Sequence, residues 1–388
     1  MDSYLERGVS SDKGDLHKIL EGHDKGLRPS SFCRILPDLN TKSGDTENCF
    51  ILHADTAGTK PILAYLYWKE TGDLSVWEGI IQDALVMNLD DIACTGVFNF
   101  FAFNSTIARN RERIPNEILN TLINASYNWV EKLARWGITA FHAGGETADV
   151  GDIVRTIDVG FSVATRAPFK QIKDIALHPG QVIVGVSSSG VTKFEDEYNS
   201  GIGCNGLTSA RHDLLNKSYA QLYPESFEPT LPYQLVYSGK YNLQDSLEGT
   251  SLSIGKALLS PTRVYLPVLK VMWENYSEAI YGVIHCTGGG QTKCIRFAKD
   301  VHILKDNLFP IPPIFSLIQR TLPTPWKNMF QTFNMGHRLE IYTHMHAATE
   351  IIALFNEFGY EAQIIGSVQP AVPGKTLSIL FEGEVYEW

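Results

Sequence analysis

Four apolar stretches of this chain run directly into glycines or an acid: NCFILHADTAGTK (48–60), ITAFHAGGETAD (138–149), VIVGVSSSG (182–190) and GVIHCTGGG (282–290). Each has the length and composition of a strand, and each ends where a loop must turn. Between them lie stretches with apolar residues at helical spacing, namely KPILAYLYWKETG (60–72), SVWEGIIQDALVMNLDDIACTG (75–96) and IPNEILNTLINASYNWVEKLARWG (114–137). Strands alternating with helices predict an α/β fold in which glycine loops line the strand ends.

At 388 residues the chain is too long for one hydrophobic core, so two domains are expected. The first α/β half closes near the strand TIDVGFSVATRA, and the pattern restarts after LHPGQ, which predicts domains at 1–166 and 167–388. Residues 191–204 and about 217–255 read as insertions. The helix beginning SPTRVYLPVLKVMWENY and the strands LEIYTHM, YEAQIIGSV and TLSILFEGEV fill the second half.

With 33 basic and 43 acidic residues the net charge is −10, which argues against nucleic acid as a partner. The start, MDSYLERGVSSDKG, has no apolar signal core, and no run approaches the roughly 20 apolar residues of a membrane span. Six scattered cysteines without a C-x-x-C pair make disulfides or zinc unexpected and favour a cytoplasmic location.

In HADTAGTK, Asp55 ends a strand where it can hold Mg²⁺, and Gly58, Thr59 and Lys60 are placed to face phosphate oxygens. The plainer reading is a turn in which Thr59 caps a helix. On the next helix Asp83 and Asp90 lie about 20° apart and about 10.5 Å along the axis, with Asp91 roughly 80° further round. Three aspartates on so apolar a helix are costly unless charge meets them, which makes a ligand and a solvated face equally good explanations. Gly144, Gly145, Glu146 and Thr147 suit close approach to a nucleotide or cation, or a tight turn. His285, beside Thr287–Gly290, is a candidate general acid or base, though a lone histidine is commonly structural.

Taken in order, YLERGVSSDKGD, DTAGTK, DALVMNLDDIACTG, GGETAD, VSSSG with NGLT, LLSPTRVY, HCTGGG and MFQTFNMG resemble phosphoribosylformylglycinamidine cyclo-ligase, or aminoimidazole ribonucleotide synthetase. The resemblance implies two α/β domains with mixed sheets, a homodimer built on the N-terminal sheets, and an ATP- and Mg²⁺-dependent ring closure of formylglycinamidine ribonucleotide. It carries Asp55, Gly58, Thr59, Lys60, Asp83, Asp91, Gly144, Gly145, Glu146 and Thr147 onto nucleotide positions. Of these, Asp55, Asp91 and Glu146 would hold metal. Ser189, Gly190, Asn205, Thr262, Arg263, Gly288, Gly289 and Asn334 fall on the ribonucleotide loops, and Lys60 and His285 are the catalytic candidates.

The chain departs from the family at D-T-A-G-T-K, at Asp90 where asparagine is usual, and at the loop GVTKFEDEYNSGIGCNG. Its glycines and Lys193 read as either a mobile flap over the substrate or a decorated surface loop. The aromatic strand VFNFFAFNSTIA is expected to be covered by a partner subunit or by the second domain. A kinase or selenophosphate synthetase of the same superfamily, or a non-catalytic nucleotide-binding partner, are the alternatives. The pairing of SPTRVY with TFNMG favours the cyclo-ligase.

Overall fold

The computed structural model describes residues 6–9, 19, 22–39 and 47–388, so most of YLERGVSSDKGD lies outside the described residues. A short strand β1 (Leu36–Pro37) pairs with β2 (Asn48–Thr56), which runs through the first apolar stretch. β2 continues into a five-stranded sheet with β3 (Phe101–Arg109), β4 (Ala140–Asp149) and β5 (Ile157–Pro168), in the order β1–β2–β5–β3–β4. Its pairs are antiparallel except β3 with β4. Helices α1 (Lys60–Thr71), α2 (Val76–Ala93) and α3 (Asn116–Arg135) belong to this half.

The second sheet has seven strands: β6 (Val182–Ser187), β7 (Ile280–His285), β8 (Val301–Lys305), β9 (His337–Thr343), β10 (Ala362–Pro370), β11 (Leu377–Phe381) and β12 (Glu384–Glu387). Their order is β12–β11–β8–β10–β6–β9–β7, antiparallel except between β8 and β11. Helices α4 (Leu207–Leu214), α5 (Ser218–Leu222), α6 (Ile254–Leu259), α7 (Leu266–Tyr276), α8 (Pro313–Thr321), α9 (Trp326–Thr332) and α10 (Met345–Glu357) complete it. The mixed sheets agree with the expected fold class. No helix among the described residues is long and apolar enough to cross a membrane.

The centre of the molecule is α2. Every residue of it except Glu78, Gly79 and Gln82 is buried, because sheet strands cover one side and α7 of the second half covers another. A helix closed off on all sides cannot leave carboxylates to water, and each of its three aspartates finds a partner across the junction. Asp83 accepts from Thr262 N (2.6 Å) and Thr262 Oγ1 (2.7 Å). Asp90 accepts from Tyr265 N (3.1 Å) and Leu266 N (2.7 Å), so it caps α7. Asp91 meets His285 at the end of β7.

Several sequence expectations are corrected by this packing. The helix after SPTRVY starts at Leu266 rather than at Ser260, where Asp90 supplies its cap. The aromatic strand needs no partner subunit: Phe101 and Phe103 are fully buried on the helix-facing side of β3. The glycines of AGGET do not end their strand. β4 continues to Asp149, with its register shifted opposite Phe103–Ser105 and Gly144 at φ +86°. This bulge turns Glu146 to the outer face of the sheet, where it pairs in register with Thr106.

The loop after Gly190 is anchored and is not a free flap. Glu195 receives Arg263 Nε (3.0 Å) and Nη2 (2.9 Å), both side chains being almost completely buried. Phe194 stacks on Phe358 at 5.8 Å and meets the edge of Trp136 at 5.2 Å. Lys193 lies over the Phe358 ring, 5.2 Å from its centroid.

Candidate active site

On β2 the side chains of Cys49 and Ile51 enter the core, and the period of two carries His53 and Asp55 onto the same face. There the core gives way to a cavity of about 380 Å³ between the halves. Its walls come from His53–Thr56 and Gly58, from Met87 and Asp91 of α2, from Cys204 and Asn205 before α4, and from Thr287, Gly288 and Lys293 after β7.

Asp91 is the most constrained group there. His285 Nδ1 lies 2.7 Å from its Oδ1, and Arg338 Nε donates to His285 Nε2 at 3.0 Å. Arg338 can only donate, so Nε2 carries the lone pair and Nδ1 the proton. Burial pushes the pKa of His285 down to about 4, against the pull of Asp91, with Arg338 adding to the fall. Burial works against the Asp91 carboxylate as well, yet the hydrogen bond from His285, with His53 and Lys293 nearby, holds its pKa below the usual value. The result is a neutral imidazole donating to a charged carboxylate.

Asn88 sets the orientation of His53. Its Nδ2 donates to Ala84 O and Phe161 O, so its Oδ1 accepts from His53 Nδ1 at 2.8 Å. His53 Nε2 then faces Asp91 Oδ2 at 3.5 Å. Asp55 lies on the same wall, and burial followed by the charge of Asp91 raises its pKa. Two carboxylates that repel one another beside this cavity fit a hard divalent cation, which would remove that penalty.

Over 379 residues the chain is 30% identical to phosphoribosylformylglycinamidine cyclo-ligase of Carboxydothermus hydrogenoformans, covering 94% of this chain and 96% of that one. The chain belongs to the phosphoribosylformylglycinamidine cyclo-ligase family. The cyclo-ligase of Methanocaldococcus jannaschii is 28% identical over 327 residues, covering 82% and 77% of the two chains. No family model matches the chain. Among solved structures, T. maritima PurL complexed with FGAR aligns with a TM-score of 0.52 at 12% identity. That match covers 99% of this chain and 54% of PurL, so this chain spans about half its length. AaThiL complexed with AMPPCP and TMP gives 0.52 at 11% identity, over 96% and 94% of the two chains. These two likenesses concern the fold alone.

Of the residues that likeness to the cyclo-ligase family singles out, the structure brings Asp55, Gly58, Asp91, Asn205 and Gly288 to one cavity. Thr59 stands at its edge, where Oγ1 meets Thr208 Oγ1 at 3.0 Å instead of capping α1. Gly289 follows in the loop at φ +96°.

Others lie behind the wall. Lys60 does not face the cavity: it is fully buried, bonded to Asp83 Oδ2 (2.9 Å) and to Ser260 O (2.5 Å). Thr262 holds Asp83, and Arg263 is committed to Glu195 and to the carbonyls of Ser187 and Ser189. Gly190 pairs with Asn199. Asn334 accepts from Ser188 Oγ at 2.7 Å and donates to Gly201 O at 2.7 Å. His285 is fully buried with both nitrogens engaged, so it positions Asp91 and is not an exposed acid or base.

Gly144, Gly145, Glu146 and Thr147 are on β4, away from the cavity of their own chain. Thr56, Gly160, Thr106 and Glu146 form one row across the sheet, so Glu146 is three strands, roughly 14 Å, from β2.

Sequence reading missed His53, Lys293 and Arg338. His53 was recoverable from its period-two relation to Asp55. Arg338 packs so tightly on Gly203 that a Cβ there would meet Nη1 at 1.7 Å, a relation between distant loops that no local pattern carries. A second buried group, Cys286, His337 and Glu340, has ligand atoms close enough for a metal, but the Lys305 ammonium bonds Glu340 and Gln291 O and takes the cation's place.

Proposed function

We propose that this chain is an ATP-dependent ligase that closes the imidazole ring, converting formylglycinamidine ribonucleotide into 5-aminoimidazole ribonucleotide with release of ADP and phosphate, in purine biosynthesis. The observation that carries the reading is the Arg338–His285–Asp91 chain at the cavity, in a protein related over almost its whole length to a cyclo-ligase. The PurL and ThiL neighbours were solved with FGAR and with AMPPCP, and nucleotide binding in this cavity is consistent with them.

Asp91 and Asp55 would hold Mg²⁺. Bound there, the ion would supply positive charge to offset that of the phosphates. The protein's own part is positioning. His285 keeps Asp91 charged and oriented, His53 faces the same carboxylate, and the Thr56–Gly58 turn and Gly288 offer backbone at close range. Lys60 acts from the interior by joining α1 to α2 and the Ser260 carbonyl. Residues 1–166 are read as the nucleotide-binding domain and 167–388 as the domain that completes the substrate site.

A homodimer is part of the reading. Leu52, Ala164, Ala102 and Phe141 make one row on the outer face of the first sheet, with Leu52 57% and Phe141 62% exposed. An apolar row open to water favours a second copy. Glu146 on that face would then be available to the partner's metal. Six unpaired, buried cysteines suit the reducing cytoplasm.

The test is turnover by the pure protein with ATP, Mg²⁺ and formylglycinamidine ribonucleotide, with aminoimidazole ribonucleotide and ADP measured together. Stoichiometric appearance of both is expected. ADP release that ignores the ribonucleotide would overturn the reading.

A further inference from the structure

Away from the cavity, the last turn of α4 carries three consecutive polar residues, Arg211, His212 and Asp213, all buried. Arg7 reaches them from the N-terminal segment: its Nη1 bonds Asp213 Oδ1 at 2.5 Å and its Nε bonds Leu235 O at 3.1 Å. That leaves Arg7 Nη2 without a partner, and Arg211 Nε and Nη1 and His212 Nε2 lack one as well. With Ser209 Oγ, these are five of the eleven buried side-chain polar atoms without a partner among the described residues.

All five can donate. His212 Nδ1 accepts from Tyr237 N at 3.2 Å, and burial, then Arg211 and Arg7, keep the ring neutral, so its proton is on Nε2. Tyr237 ties the group together: its ring lies 4.6 Å from that of His212, and its hydroxyl hydrogen-bonds with the Arg211 guanidinium, which leaves Arg211 Nε and Nη1 as the unmatched donors. Charge points the same way. Burial, and behind it the charge of Arg7, lower the pKa of Arg211 against the pull of Tyr237, and Lys217, bonded to Tyr233 O and Val236 O, adds a third cation. Asp213 is one carboxylate against them. Glu225, which also faces Tyr237, is taken by Tyr65 and Arg113.

Unmatched donors, two of them on guanidinium groups and each on a side chain more than nine-tenths buried, are costly unless an acceptor meets them. We propose that Arg7, Arg211 and His212 form a binding site for an oxyanion of the phosphate class, separate from the cavity. A tetrahedral oxyanion offers several acceptors to forked guanidinium donors, which a single water cannot. The site lies about 7 Å along α4 from Gly206, the residue next to Asn205 on the cavity wall. Bound anion would fix α4 to the N-terminal segment and to the 217–255 excursion.

The test is a phosphate titration of the full chain at constant ionic strength, read by melting temperature and by calorimetry, in the parent, Arg211→Gln and Asp213→Asn. Saturable phosphate binding is expected, at least tenfold weaker in Arg211→Gln and at least threefold tighter in Asp213→Asn, which loses the competing carboxylate. Ribose 5-phosphate as a second probe separates the sources: competition with phosphate assigns a phosphomonoester, and none assigns the free ion. Equal affinity in all three proteins would place the phosphate in the cavity and overturn the site, as would no saturable binding. If Arg211→Gln does not fold, an unchanged affinity in Asp213→Asn overturns it alone. Turnover is not read, so the result is independent of the proposed reaction.

Discussion

His285 Nδ1 stands 2.7 Å from Asp91 Oδ1, and the proton between them belongs to the imidazole. Arg338 fixes this by donating to the other ring nitrogen. A charge on the arginine, a neutral ring and a charge on the aspartate therefore run in line from the second sheet to the cavity wall. At neutral pH the histidine transmits orientation as a neutral ring.

Protonation of His285 should then cost stability. In the unfolded chain a histidine takes its proton near pH 6.5, whereas here it does so near 4. Between those values the unfolded state binds more protons, so stability rises with pH. The contribution, on the order of 3 kcal/mol, is complete above pH 6.5 and is lost as pH falls to about 4. Urea unfolding of the parent and of His285→Asn between pH 4 and 7 checks this. The variant should show a shallower slope.

Removing the charge of Asp91 should remove activity and leave the fold. In Asp91→Asn the amide oxygen still accepts from His285, but it cannot offset a divalent cation. ATP turnover is expected to fall at least a hundredfold with an unchanged circular dichroism spectrum. Parent-like turnover at saturating magnesium would contradict the assignment.

Lys60 should behave as a structural residue. Lys60→Met leaves the Asp83 carboxylate buried without its ammonium, a loss of about 3–5 kcal/mol. Adding Asp83→Asn keeps an acceptor for Thr262 and removes the stranded charge, so part of the stability should return. Denaturation of the single and double variants measures both.

The Glu195–Arg263 pair should support the fold and not the rate. Glu195→Ala strands a guanidinium that keeps only the Ser187 and Ser189 carbonyls, for a loss of about 3 kcal/mol. The folded fraction should retain its ribonucleotide-dependent kcat within threefold. A tenfold fall in kcat without loss of stability would restore the flap.

If the outer sheet face joins two copies, a charge on it should separate them. Phe141→Asp with Leu52→Asp puts like charges into the exposed row. Light scattering should show dimer for the parent and monomer for the variant.

What could be read from the sequence follows from range. Asp55, Gly58 and Gly288 are at strand ends, and strand-end loops of this composition announce themselves within ten residues. Lys60 misled because an ammonium after Gly-Thr looks like a phosphate ligand, whereas the first residue of α1 turns its side chain inward. The aspartates of α2 were singled out because a buried helix tolerates none without a partner. Which partner each one has depends on residues 170 or more positions away: Thr262, Leu266 and His285. No local pattern encodes that choice. The aromatic strand was expected to take its cover from a partner subunit or the second domain, whereas Phe101 and Phe103 are buried in the chain's own core, and Phe98 and Phe100 lie outside β3.

The three aspartates of α2 have a consequence for how such a protein can be recombined. Each carboxylate is matched by groups from the other half, so the halves are not interchangeable parts. A chimera that joins the first half of one relative to the second half of another must inherit α2, the 260–266 segment and the end of β7 from one parent. Otherwise each carboxylate loses its partners across the junction, and Asp83 keeps only Lys60 and Asp91 only His53 from its own half. A crossover after Pro168 separates these elements, whereas replacing them together, as one interior block, leaves every carboxylate with the groups it was matched to.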